Sequence, residues 1–436
     1  MIEARGGWLL PGLHDHHIHL RALAARDDSV PVGPPQVIGP DEFAAALRRA
    51  CVRLPTDGWL RGVGYHESVA GPLDRDVLDH LAPDRKVRVQ HRSGALWVLN
   101  SAACRAAGVD SCALPGIERD AAGRATGRLW RLDSWLGDRV GTRHGDLAAL
   151  GARAAAAGVT GFTDATPDLT ANAIDALAAE VSSGALPQRV HCMAPPARTR
   201  PPDDAFALGP TKILLDDTDL PTLPAFIARI EAAHAIGRPV AVHCVTPVQL
   251  LLTAAALDDA GILSGDRIEH GALIPADTLN WLRRSSVTVV TQPHFPVERA
   301  AQYAADVDPA DRPDLWRLGS LRDAGIGLAA GTDAPFGGAD PWAVIRAAMH
   351  RPEPERLSLT AAVGLFLGEP AHPARRRRIS SGAPADLTLL RLPPTDIIVP
   401  SRTLVAATVI RGEVVFTADT TVRYTEGSAV PTATDR

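Results

Sequence analysis

Short runs rich in β-branched residues alternate with alanine- and leucine-rich stretches from about residue 147 to residue 350. Runs of the first kind are typical of buried strands, and the longer stretches are typical of helices. Repeated strand–helix units favour a parallel sheet, because each helix carries the chain back to the edge where the next strand begins. Seven strand candidates lie in this region, and residues 9–15 supply an eighth. Eight such units predict an α/β fold, a (β/α)8 TIM-type barrel.

Two long segments fall outside this alternation. Residues 20–145 follow the first strand and contain their own strand-like run, so we interpret them as an insertion that shapes the substrate pocket. Residues 379–424 contain short strands and Gly/Pro turns, and together with residues 1–8 they predict a small β-sandwich-like appendage. The barrel then spans residues 9–378, and residues 425–436 are expected to form a flexible tail.

The composition argues against several classes of partner. The formal net charge of the 436 residues is -5, whereas nucleic-acid binding usually needs a basic face. No apolar run approaches the ~20 residues of a membrane span, and the N-terminus lacks the pattern of a signal peptide. The five cysteines show no zinc-type spacing. We therefore expect a cytoplasmic protein with a small-molecule substrate, no nucleic-acid or membrane partner, and a homodimeric assembly.

Residues 10–19 are the densest run of metal-binding side chains, with four histidines and one aspartate. Neutral imidazole is the commonest protein ligand for a transition metal. Side chains alternate along a strand, so His17 and His19 share one face while His14 and His16 share the other. The run by itself leaves both pairs open, and a polar loop with solvent-facing histidines is the structural alternative.

Later strands carry further polar side chains at positions that fit one rim of a barrel. His243 ends the fifth strand, His270 the sixth and Asp333 the eighth, while Lys212 lies within the fourth. Active sites of such barrels lie at the C-terminal ends of the strands. Of the 45 basic residues only Lys86 and Lys212 are lysine. Because an amine can be neutralised or modified and a guanidinium cannot, Lys212 is a candidate for chemistry.

These residues resemble the amidohydrolase superfamily of metal-dependent hydrolases, and most closely its branch that includes N-substituted formamide deformylases. The resemblance covers nearly the whole chain and is carried by an ordered set of motifs: residues 10–19, 212–216, 242–243, 267–270, 291–294 and 331–335. It implies that His17 and His19, rather than His14 and His16, bind metal.

The resemblance also implies a metal centre and a reaction. The centre would hold one or two divalent ions, with zinc expected, on the ligand set His17, His19, Lys212, His243, His270 and Asp333. Lys212 would be carbamylated and bridge two ions, a metal-bound hydroxide would be the nucleophile, and Asp333 would be the general acid/base. The reaction would be hydrolysis of a non-peptide, amide-like C–N bond in a small molecule. Four more residues are expected to contact the substrate: His91, Trp97, Gln292 and His294.

Two other functions stay open from the sequence. The same metals would serve an aminohydrolase (deaminase) that acts on a cyclic amidine. Against it, Thr246 stands where such enzymes have a glutamate three residues after a histidine, here His243. The second alternative is a metal-free member of the group that acts as a binding protein, although here every expected ligand position is filled.

Overall fold

The computed structural model describes residues 6–418, apart from residues 27, 35, 56, 141–144, 200–202 and 392–400. The predicted tail at residues 425–436 therefore lies outside the described residues. The described strands, in chain order, are β1 (Trp8–Pro11), β2 (Leu13–Ile18), β3 (Val30–Pro31), β4 (Trp59–Tyr65), β5 (Lys86–His91), β6 (Leu96–Leu99), β7 (Ile117–Arg119), β8 (Ala125–Trp130), β9 (Val159–Asp164), β10 (Arg189–Cys192), β11 (Phe206–Leu208), β12 (Thr211–Ile213), β13 (Val240–Cys244), β14 (Arg267–His270), β15 (Thr288–Thr291), β16 (Leu328–Ala330), β17 (Leu387–Leu390), β18 (Val405–Ile410) and β19 (Glu413–Thr417).

The helices are mostly short, and several begin with a side-chain cap or a proline in the first turn. In chain order they are α1 (Leu20–Arg26), α2 (Pro40–Arg53), α3 (Glu67–Ala70), α4 (Arg75–Leu81), α5 (Ser101–Ala107), α6 (Asp133–Val140), α7 (Leu147–Ala156), α8 (Ala171–Ser182), α9 (Leu223–His234), α10 (Pro247–Ala260), α11 (Leu279–Ser285), α12 (Phe295–Glu298), α13 (Ala300–Asp306), α14 (Gly319–Asp323), α15 (Pro341–Met349), α16 (Leu359–Gly364) and α17 (Ser401–Leu404). Two 3-10 turns lie at Ala276–Thr278 and Arg312–Asp314.

The contacts divide the chain into two compact units. The first comprises Met1–His19 and Ala148–Arg436, and the second comprises Leu20–Leu147. Each unit has a sheet structure and a hydrophobic core of its own.

The first unit is built on two parallel sheets, with strand orders β11-β10-β9-β2 and β12-β13-β14-β15-β16. Backbone hydrogen bonds join the sheets on both sides. On one side the Ala194 N–H donates to the Pro210 carbonyl (3.2 Å), and on the other the Asp333 N–H donates to the His17 carbonyl (2.7 Å). Because all these strands run in parallel, their C-terminal ends lie at a common edge.

Strands of the second parallel sheet form one side of the hydrophobic core of the first unit. Their β-branched side chains, such as Val242 of β13 and Ile268 of β14, are fully buried against helices α9 and α10. Burying each side chain of this size stabilises the fold by about 1.5–3 kcal/mol. Helix α10 begins where the Thr246 hydroxyl accepts a hydrogen bond from the Gln249 N–H (3.3 Å), with Pro247 in its first turn. This start fixes the chain directly after β13.

The chain start corrects two predictions about the strands. The predicted first barrel strand includes residues 9–11, but these residues belong to β1, which pairs antiparallel with β17; the parallel strand is β2. The break falls at Pro11 and Gly12, where a side chain on Gly12 would collide with Thr160. The described part of the predicted β-sandwich-like appendage is a single antiparallel sheet of four strands, ordered β1-β17-β18-β19.

The second unit has a mixed sheet with the order β3-β4-β5-β6-β8-β7. Strands β3, β4 and β5 run parallel to one another, whereas the later neighbours pair antiparallel. Its core is lined by residues such as Phe43, Leu60 and Val89, all of which are fully buried. Among the helices of the described residues, none has both the length and the apolar character that crossing a membrane requires.

Candidate metal centre

The candidate site lies at the C-terminal ends of the parallel strands in the first unit. His17 belongs to β2 and His19 follows it, His270 is the last residue of β14, and Asp333 lies three residues beyond β16. His270 and Asp333 have φ angles of 71° and 51°. Side chains other than glycine seldom adopt this left-handed conformation, and such strained residues concentrate at functional sites.

Three of these side chains converge on one point. One ligand atom each from His17, His270 and Asp333 lies within 4.8 Å of the other two, and all three residues are buried. The Nε2 atom of His17 is 3.5 Å from a carboxylate oxygen of Asp333, and Nε2 of His19 is 3.1 Å from the same oxygen. Two imidazoles and a carboxylate at this spacing match the donor set of a zinc-type site.

Neighbouring acceptors fix which nitrogen of each histidine carries the proton. Nδ1 of His17 is hydrogen-bonded to the Glu269 carboxylate, and Nδ1 of His270 donates to the side-chain oxygen of Gln292 (2.8 Å). Both oxygens can only accept, so each neutral ring holds its proton on Nδ1 and leaves the Nε2 lone pair unprotonated. Metal-binding histidines are held in this way by partners behind the ring.

The electrostatics favour neutral histidines and an ionised carboxylate. Burial lowers the pKa of His17 to about 4, aided by the charge of Lys212, and burial lowers the pKa of His270 to about 3. Burial alone would raise the pKa of Asp333, but the hydrogen bond from His19 and the neighbouring histidines bring it well below its usual range. At neutral pH all three groups are therefore in the state that binds a cation.

The other two predicted ligands lie around this cluster. The ring of His243 packs edge-on against the ring of His270, with centroids 4.6 Å apart. Lys212 is 8% exposed, and its Nζ atom has no hydrogen-bond partner among the described residues. Burial lowers the pKa of Lys212, because charging an amine there costs the hydration of the ion. An unpaired, buried amine is costly for the fold, which marks Lys212 as a group that needs a partner.

Asp15 precedes His17 by two residues in β2, so both side chains lie on the same face of this strand. Its carboxylate accepts hydrogen bonds from the Thr332 N–H (2.9 Å) and the Thr332 hydroxyl (2.6 Å), next to Asp333 in the chain. Burial raises the pKa of Asp15 to about 7, against these hydrogen bonds. Asp15 therefore holds the segment between β16 and Asp333 in place relative to His17.

The alternative pair of histidines lies away from these ligand atoms, in packed surroundings. His14 is 2% exposed, and its Nε2 lies 2.9 Å from the Thr163 hydroxyl. His16 is fully buried, with its ring centroid 4.6 Å from that of His14. Neither ring nitrogen of His16 has a hydrogen-bond partner among the described residues.

The four predicted substrate contacts have different surroundings. Gln292 is fully buried, and its side-chain oxygen accepts a hydrogen bond from His270. His294 lies just beyond β15 and is 3% exposed. His91 and Trp97 belong to the second unit. There His91 bonds to Glu67 (3.0 Å) and the indole N–H of Trp97 donates to Asp133 (2.7 Å). Their contact with substrate stays a prediction.

Sequence reasoning missed Glu269 and the orienting role of Gln292. Glu269 directly precedes His270, so strict alternation would point the two side chains to opposite faces. Arg267 and Glu269 do share a face, and the Arg267 Nε donates to the Glu269 carboxylate (2.5 Å). An Arg-x-Glu pair in a buried strand was the available signal, because a buried carboxylate needs a charged or hydrogen-bonding partner.

A change of Glu269 to glutamine tests this orienting role. Glu269→Gln removes the charge that holds the proton on His17 Nδ1, so we expect zinc affinity to fall by about 10- to 100-fold. The measurement is zinc titration of the apoprotein. Glu355→Gln is the matched control, since Glu355 is a buried carboxylate that accepts from the Leu318 and Ser320 N–H groups in another part of the unit. Equal zinc affinity in both variants would contradict the role of Glu269.

Comparison with known proteins assigns a family to this chain and finds related folds. A model of the amidohydrolase family matches residues 1–416. The putative amidohydrolase YtcJ of Bacillus subtilis (strain 168) is 24% identical, across 95% of this chain and 90% of its own. The N-substituted formamide deformylase of Arthrobacter pascens is 31% identical over 137 residues, which cover 30% of this chain and 25% of the deformylase.

Solved structures share the fold at low sequence identity. An uncharacterized metal-dependent hydrolase of Pyrococcus horikoshii OT3 has a TM-score of 0.68 at 18% identity, over 92% of this chain and 89% of its own. A mutant of atrazine chlorohydrolase from Arthrobacter aurescens TC1, complexed with zinc and atraton, has a TM-score of 0.51 at 15% identity, over 94% and 84%. With a family match that spans nearly its whole length, this chain belongs to the amidohydrolase family.

Proposed function

We propose that the protein is a metal-dependent hydrolase that cleaves a non-peptide, amide-like C–N bond in a small molecule. We also propose that eight strands of its two parallel sheets form one (β/α)8 barrel: β2, β9, β10, β12, β13, β14, β15 and β16. The observation that carries the proposal is the buried cluster of His17, His270 and Asp333, with both imidazole lone pairs left available by their partners. The family membership supports the same chemistry.

The residues present fit a divalent ion. His17, His270 and Asp333 would hold it, and His19 and His243 would complete the set or hold a second ion. Zinc is the ion of choice, because it prefers nitrogen and oxygen donors in small coordination numbers. When bound, a divalent ion supplies a Lewis acid that polarises a carbonyl group and acidifies water.

Asp333 is the proposed general acid/base. Its carboxylate is ionised at neutral pH and lies within hydrogen-bonding distance of His19 (3.1 Å). An ionised carboxylate in this place accepts the proton of the attacking water and returns it to the leaving nitrogen. The amine then leaves neutral, which removes the main barrier to breaking an amide-like bond. Gln292 and His294 remain the proposed substrate contacts of this unit.

Hydrolysis of N-formyl and N-acyl amines, with metal content measured alongside, tests the proposal. We expect amine release that needs zinc or another divalent ion and stops on chelation. Asp333→Asn should lower kcat by at least about 100-fold, since it removes the group that moves the proton. Asp323→Asn is the control, because Asp323 is an exposed carboxylate whose ion pair with Arg322 lies on helix α14.

Three results would distinguish the proposed hydrolase from the two alternative functions. Full activity after chelation or in Asp333→Asn would contradict the proposal. Release of ammonia from a cyclic amidine, in place of an amine from an amide, would favour the aminohydrolase. A site that binds no metal, together with no turnover of either substrate class, would favour the metal-free binding protein.

We also propose that the neutral amine of Lys212 adds to carbon dioxide and loses a proton, which gives a carbamate anion. The buried, unpartnered Nζ and the lowered pKa of Lys212 support this reaction. Equilibration with isotope-labelled bicarbonate should give a carbamate carbon signal by NMR that is lost in Lys212→Arg, together with a fall in bound metal. Lys86→Arg, at the other lysine, should change neither. A signal that persists in Lys212→Arg would contradict the carbamate.

A further inference from the structure

A second group of possible metal ligands lies in the other unit, at the ends of two neighbouring strands. Strands β4 and β5 are parallel, with Tyr65 and His91 in register. His66 directly follows β4, Glu67 begins helix α3, and His91 ends β5. Parallel pairing therefore brings the two histidines and the carboxylate to one edge of the sheet.

The spacing of the three side chains suits one ion. One ligand atom each from His66, Glu67 and His91 lies within 4.8 Å of the other two. Nε2 of His91 is 3.0 Å from the Glu67 carboxylate, and the two imidazole centroids are 5.8 Å apart. Ligand atoms about 2.0–2.2 Å from a tetrahedral ion lie roughly 3.3 Å from one another, so small side-chain rotations would close the site.

A serine hydroxyl stands behind each imidazole. Nδ1 of His66 is 2.8 Å from the Ser68 hydroxyl, and Nδ1 of His91 is 2.7 Å from the Ser93 hydroxyl. The backbone N–H of each serine also approaches the same Nδ1 atom, at 3.2 Å. In the absence of an ion Nδ1 therefore accepts. Binding of an ion at Nε2 moves the ring proton to Nδ1, where the serine hydroxyl accepts it, at the cost of the hydrogen bond from the serine N–H. Histidine ligands in metal sites are commonly oriented by such partners.

The charge states of His91 and Glu67 are those that a cation requires. Burial lowers the pKa of His91, which keeps its ring neutral at pH 7. Burial would raise the pKa of Glu67, but hydrogen bonds from its own N–H and from His91 lower it, so the carboxylate is ionised. The Glu67 side chain is 40% exposed and that of His91 is 18% exposed, so an ion in water can reach them.

We propose that His66, Glu67 and His91 bind a divalent transition-metal ion, with Zn²⁺ as the best match, and that water fills the remaining coordination position. The site shares no residue with the His17, His270 and Asp333 cluster, so it stands or falls independently of the proposed hydrolase function. It gives His91 a metal in place of the substrate contact predicted from the sequence. An ion there would tie the start of helix α3 to the end of β5.

The test is zinc stoichiometry of the full-length protein after equilibrium dialysis against Zn²⁺, measured by elemental analysis. We expect His66→Asn and Glu67→Gln each to bind one zinc ion per chain fewer than the unsubstituted protein. Asparagine at position 66 keeps a side-chain cap for helix α3, so this variant removes the imidazole without removing the cap. His80→Asn, at an exposed histidine of helix α4, is the control and should keep the full stoichiometry.

Circular dichroism and a second metal-site variant make the result decisive. With native helix content in both variants, zinc stoichiometry equal to that of the unsubstituted protein would overturn the proposal. Asp333→Asn combined with Glu67→Gln should lose zinc from both sites, and the loss due to Glu67→Gln should be the same in both backgrounds. A failure of the hydrolase proposal would leave that difference unchanged.

Discussion

The contact between His17 and Glu269 is the interaction on which the site depends. It joins β2 to β14, and it fixes the proton of His17 on the nitrogen that faces away from Asp333. Glu269 is itself held by Arg267, whose guanidinium also donates to the His16 carbonyl (3.1 Å). A buried carboxylate is tolerated only with such partners. The Arg267 guanidinium and the His17 ring therefore stabilise the Glu269 carboxylate, and the carboxylate in turn orients both of them.

The remaining parts of the centre are built in the same way, with each ligand held by a neighbour from another strand. His270 is held by Gln292 just after β15, and the segment before Asp333 is held by Asp15 of β2. These links cross between strands that are distant in sequence. The parallel sheets bring the strand ends to one edge, and the orienting hydrogen bonds leave the Nε2 lone pairs of His17 and His270 unprotonated, as metal binding requires.

The positions of the candidate ligands were predictable from two facts. Strand periodicity places His270 and Asp333 near the C-terminal ends of strands, and active sites of (β/α)8 barrels lie at those ends. Their positive φ angles were not, because neither residue is a glycine and the strain comes from the surrounding fold. The boundary between β1 and β2 was also missed, since it depends on Gly12 meeting Thr160, a contact 148 positions apart (160 − 12). In the second unit, the approach of His91 to Glu67 depends on strand register, which the sequence pattern alone does not specify.

The most direct test is the anomalous diffraction of crystals grown with zinc, measured on both sides of the zinc absorption edge. We expect a peak about 2.0–2.2 Å from Nε2 of His17, from Nε2 of His270 and from a carboxylate oxygen of Asp333. Glu269 and Gln292 should remain on the Nδ1 atoms of the two rings. A zinc-bound protein without a peak at this cluster, or with its ion on His14 and His16, would contradict the account.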